Sequence, residues 1–283
     1  ALLKRATPGS EDHRSGRMLV EWLVESRVGR ELAPLEEREI AWEGEAVVRL
    51  ANGVAEPYRR ASITIANTRD ARERRALDDA RAALVGAELA PMRQERLSRE
   101  KDFVEKMAVG PDYIDTFDAL AGVRVRALRD DCAAFLRDTQ AMWDEVLPEF
   151  LKRGLGITPA EATRADAVAL MRAPEFDAGF PADAMEREVR RQVTEMGASP
   201  DADGRVRYDT GDRPGKRARA FCAPVVIPDE VYLVIRPHGG QNDWQTLLHE
   251  LGHALHFANI DMSMPFEFRW LGANSITESY EML

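Results

Sequence analysis

Between Leu247 and Phe257 the chain reads Leu-Leu-His-Glu-Leu-Gly-His-Ala-Leu-His-Phe, eleven residues with no proline and one glycine. Nothing in that run interrupts a helix. As a helix it is apolar on most sides, through Leu247, Leu248, Leu251, Ala254, Leu255 and Phe257, which predicts burial. A buried helix must then satisfy three histidines and a glutamate, because unpaired polar groups are costly away from water. His249 and His253 stand one turn apart on one face, with Cβ atoms about 5–6 Å apart. Two imidazoles at that spacing can share a tetrahedral zinc ion. Glu250 is next along the helix and can take a proton from a water on that zinc. The pattern predicts one Zn²⁺ per chain, held in part by His249 and His253, with Glu250 as the catalytic base.

The third ligand separates the classes of zinc peptidase. Metzincins carry a glycine seven residues after the first histidine and a third histidine three residues later. Those positions here are His256 and Asn259, which excludes that class. The acidic residues downstream are Asp261, Glu267, Glu278 and Glu281. Asp261 is too close to the helix end to fold back easily, and Glu267 lies in a Pro265–Trp270 stretch that reads as loop or strand. Glu278 sits in a segment that Asn274 or Ser275 can cap as a helix. A second helix crossing the first would bring that carboxylate to the open zinc position, so Glu278 is the expected third metal ligand.

These residues resemble the thimet-oligopeptidase and oligoendopeptidase family of zinc peptidases. The likeness is carried by His249-Glu250-Leu251-Gly252-His253-Ala254-Leu255-His256 and by Glu278, 29 residues after His249. The run Gly215–Phe221, followed by Ile227–Ile235, is similar to the strand region before the zinc helix in that family. The resemblance covers about residues 214–283. It implies zinc ligation by His249, His253 and Glu278, with Glu250 as general base, in a deep channel that admits short peptides. Chains of that family continue past the glutamate with a helical region that supplies oxyanion-stabilising side chains. This chain starts at Ala1 and stops at Leu283, so it is expected to be part of a longer protein and a weak peptidase by itself.

Composition bounds the remaining possibilities. A net charge of −10 argues against a nucleic-acid partner. Cys132 and Cys222 form no disulfide framework or metal spacing and fit a reducing, cytoplasmic setting. No stretch reaches the ~18 apolar residues of a membrane span. Helical periodicity dominates the first two hundred residues: Met18–Leu32, Glu36–Leu50, the charged Arg69–Met107 stretch bent near Pro91, Val123–Phe150 and Pro181–Met196. Turn-rich segments then surround 199–215. β-Branched residues concentrate between Val225 and Ile235, with Pro228-Asp229 as a turn between two short strands.

The predicted architecture is mainly α-helical, zincin-like, with a small β-sheet beside the zinc helix. It divides into a helical region over 1–205 and a zinc-binding region over 206–283. His238-Gly239-Gly240-Gln241 and the strand before it would border the cleft, where an extended substrate could pair with that strand's free edge. The expected function is a zinc metallopeptidase acting on oligopeptides. The alternative is a zinc-binding pseudo-peptidase or peptide-binding fragment. An aminopeptidase would need an acidic or Gly-rich element to hold the substrate's N-terminus, and none is evident.

Overall fold

The computed structural model describes residues 6–211, 213, 216 and 220–282, apart from the side chain of Glu281. The fold is mainly helical with small sheets. Two compact units are formed, one by Val20–Arg172 and the other by Ala173–Leu283 with Ala1–Leu19.

The Val20–Arg172 unit contains most of α1 (Glu11–Glu45), followed by a hairpin of β1 (Val47–Arg49) and β2 (Ala55–Pro57). After it come α2 (Tyr58–Asn67), α3 (Ala71–Leu84), α4 (Ala90–Lys106), α5 (Tyr113–Ala121), α6 (Val125–Leu155) and α7 (Arg164–Arg172). The two helices expected over 18–32 and 36–50 form one helix that passes through Pro34 and ends at Glu45. Its last expected turn becomes strand β1, where the β-branched pair Val47-Val48 favours extended backbone. The bend expected at Pro91 coincides with a π-helical turn, Val85–Leu89, that joins α3 to α4. Pro91 itself follows that turn directly, in the first turn of α4.

One charged pair is fully inside this unit. The Arg74 guanidinium bonds the Asp166 carboxylate, and both side chains are almost completely buried. Arg74 also donates to the carbonyls of Thr68 and Arg69, at 2.9 and 2.8 Å. Asp166 accepts from the Thr163 amide and hydroxyl, at 2.9 and 2.7 Å. Burial works to raise the carboxyl's pKa, but the Arg74 and Thr163 bonds outweigh it and hold Asp166 ionised below its ordinary range.

The second unit is built around one helix. A three-stranded sheet has the order β3 (Val206–Asp209), β5 (Glu230–Val234), β4 (Phe221–Val226). β3 runs parallel to β5, and β4 runs antiparallel to it. The strand before His238, expected to have a free edge, is instead β5, the central strand, paired on both sides. The expected turn at Pro228-Asp229 joins β4 to β5. The strand alternation places Val206, Val231 and Leu233 on one buried face. Against that face pack α8 (Ala182–Glu195), through Met185, Val189 and Val193, and α9 (Gln241–Ala258), through Leu247, Leu251, Ala254 and Ala258. Spacings of three and four residues make each set a single stripe. Because α8 shares this core, the composition change near 197–215 falls inside the unit. The chain continues from α9 through a short helix α10 (Phe266–Trp270) to α11 (Asn274–Glu281), which packs on α9. Of the Gly215–Phe221 run, residues 215 and 217–219 lie outside the described residues. No helix among the described residues is long and apolar enough to cross a membrane.

Candidate metal centre

α9 has sheet on one side and α11 on another. With 3.6 residues per turn, the His249–His253 face lies roughly 150° from the Leu247–Leu251–Ala254–Ala258 stripe. Glu250 falls between the two, turned about 80° from the histidine pair towards the sheet. The loop before α9 holds its start in place. Gly239 and Gly240 both have positive φ, and a Cβ at Gly239 would meet the backbone nitrogen of Ala182 at 3.1 Å. The Gly240 amide donates to the Phe180 carbonyl at 2.8 Å. Asp243 accepts from the amides of His238 and Gly239, at 2.7 and 3.1 Å. The helix cap is therefore Gly240, with Asp243 reaching back to the loop, and not the Asn242 side chain.

The side chains of His249, His253 and Glu278 converge. One ligand atom from each lies within 4.8 Å of the other two. The imidazoles of His249 and His253 are edge to face, with centroids 4.8 Å apart. Glu278 arrives from α11, the second helix that was expected; it begins at Asn274 with Ala273 at the cap position, and neither Asn274 nor Ser275 caps it. The other acidic candidates lie elsewhere or outside view. Asp261 accepts from the Ser263 amide at 2.8 Å, which lowers its pKa. Glu267 sits on α10 and bonds the Ser15 hydroxyl. The Glu281 side chain is outside the described residues.

The donor set suits zinc. Two imidazoles and a carboxylate leave a fourth tetrahedral position open, as in hydrolytic zinc sites. His253 is 9% exposed, so its ring has little water to turn to. Its Nδ1 lies 2.9 Å from Thr277 Oγ1. Its Nε2 faces Glu278 Oε1 at 3.9 Å, beyond hydrogen-bond range and with room for a shared ion. Behind it, His256 is stacked on Tyr280, with centroids 4.4 Å apart and planes 4° from parallel. Burial first, and the neighbouring His253 second, push the His256 pKa down.

The second unit resembles known structure only distantly, and as part of the whole chain. The chain superposes on the structure of a "putative peptidase" from Chlamydophila abortus with a TM-score of 0.53 and 13% identity. The match covers 99% of this chain and 47% of that one. The two share a fold. The chain spans about half the length of that relative. No protein-family model matches the sequence. No curated protein matches it either.

Two residues near the centre escaped the sequence reading. Thr277 is placed beside Glu278 on the same turn, and a threonine in an acidic, polar helix carries no signal of its own. Cys222, on β4, has its thiol pKa pushed up to about 12, chiefly by burial and then by the charge of Glu250. β4 packs against α9, the helix that carries the candidate base. Only the alternation of β4 could have indicated it, and Pro224 obscures that pattern.

Proposed function

We propose that the chain carries the catalytic zinc site of a metallopeptidase that hydrolyses peptide bonds in oligopeptides. The observation that carries this reading is the convergence of His249, His253 and Glu278, with Glu250 adjacent on the same helix. The description of the Chlamydophila abortus relative agrees with it. Zinc bound here would supply a Lewis acid that polarises the scissile carbonyl and acidifies water towards a pKa of about 7.

The chain's own residues do the rest. His249, His253 and Glu278 hold the ion. Glu250 takes a proton from the attacking water as its oxygen bonds to the carbonyl carbon, then passes that proton to the departing amine as the C–N bond breaks. The β4 strand, packed against α9, is the edge along which an extended peptide would lie, with backbone bonds setting its direction across the site.

Metal analysis tests the reading. The chain is expected to bind about one zinc, and His249→Ala and Glu278→Ala are each expected to lose most of it. Full retention in both variants would end the assignment. Retention in Glu278→Ala alone would move the carboxylate ligand to another residue, with Glu281 the first to examine.

A further inference from the structure

We propose that Thr277 is a positioning residue of the metal site, whose hydroxyl, seated on Nδ1 of His253, keeps the ring turned with Nε2 towards the ion. The inference rests on the zinc reading above. A neutral imidazole has one N–H and one lone pair; the hydroxyl fixes the ring's orientation, and it can accept from Nδ1–H in the tautomer that leaves the Nε2 lone pair for the ion. His253 Nδ1 lies 2.9 Å from Thr277 Oγ1, while Nε2 points towards Glu278 Oε1. With Thr277 accepting from Nδ1–H, the lone pair of Nε2 faces the carboxylate, where the ion is to be shared. In the other tautomer an N–H would point there instead, and the ring could not ligate.

Three features make this bond more than incidental. His253 is buried, so bulk water is a poor substitute partner for Nδ1. A helical hydroxyl commonly turns back to the carbonyl one turn earlier. Ser279, two residues on, does so, donating to the Ser275 carbonyl at 2.6 Å. Thr277 instead reaches across to α9. Thr277 and Glu278 are consecutive, so the docking of α11 delivers a ligand and orients a second one together.

The test uses the purified 283-residue chain, with zinc affinity read by competition with a chromophoric chelator. Thr277→Val keeps the shape and removes the oxygen, and is expected to weaken zinc binding about 10–100-fold. Thr277→Ser restores the oxygen and is expected to bind zinc nearly as tightly as the parent. Histidine ¹⁵N spectra of the zinc-loaded parent are expected to show His253 protonated at Nδ1 and bound to the metal through Nε2. A valine variant with parental affinity overturns the proposal, as does a zinc-loaded parent bound through Nδ1. A serine variant no better than valine overturns it too, because the hydroxyl would then not be the active feature. A parent chain that takes up no zinc would refute the metal reading itself, a different failure.

Discussion

At the scale of the residue, the site is a problem of shared geometry. His249 and His253 were legible from sequence because the i, i+4 spacing fixes their relation whatever else the chain does. Glu250 follows His249 directly, so its place beside the pair is fixed in the same way. Glu278 was harder: only a plausible second helix favoured it over three other carboxylates, and the convergence of side chains now supports that choice. Thr277 was invisible, because its role depends on how two helices cross and not on any local pattern. The sharpest residue-level expectation concerns Glu250. In Glu250→Gln the amide has nearly the same shape but cannot accept a proton. Zinc content is expected to be unchanged, while turnover of a quenched peptide falls about 10²–10⁴-fold. Near-parental turnover would remove Glu250 from the role of base.

At the scale of the element, strand ends and helix starts carry much of the polar organisation. The end of β3 is an example. Arg213 grips the Asp209 carboxylate with two bonds of 2.6 Å. Lys216, almost fully buried, donates to Asp209 Oδ1 at 3.1 Å and to the carbonyls of Asp209, Gly211 and Ile235 at 2.7–2.8 Å. The Arg213 bonds chiefly, with Lys216 adding to them, depress the Asp209 pKa to about 2. Its unfolded value is about 3.9. A depressed folded pKa contributes stability above the unfolded value and loses it as the pH falls towards the folded one. Urea midpoints of the parent are therefore expected to drop between about pH 4 and pH 2 more steeply than those of Asp209→Asn. Parallel profiles would mean that the Asp209 cluster does not couple to folding. The sequence marked this stretch only as turn-rich. A lysine that bridges two strand ends is a tertiary feature that composition cannot show. By contrast, the helices were mostly legible, since periodicity is local. The exception was the gap between the helices expected over 18–32 and 36–50, which α1 crosses with Pro34 inside it.

At the scale of the whole molecule, the mainly helical class with a small sheet beside the key helix followed directly from the change in residue type after about 197. The internal division did not, because composition marks where strands begin, whereas compact units follow contacts such as those of α8 with the sheet. One feature of that sheet bears on how molecules of this kind behave towards each other. β4 has no second strand beside it among the described residues, and it carries Val225 and Val226 exposed. Such edges are templates on which another copy can add a strand and start a fibre. Pro224 stands in the middle of β4 without an N–H to offer, and the pairing with β5 is irregular between Pro224 and Val226. Both interrupt any long ladder laid along this side. Pro224→Val would remove the interruption and leave a run of β-branched residues from 224 to 227. Light scattering at raised concentration is expected to show faster aggregation of that variant, and equal rates would show that the proline guards nothing. On the proposed peptide-binding reading, an edge open to a short peptide and broken for a long one would separate a guest from a copy of the host by length alone.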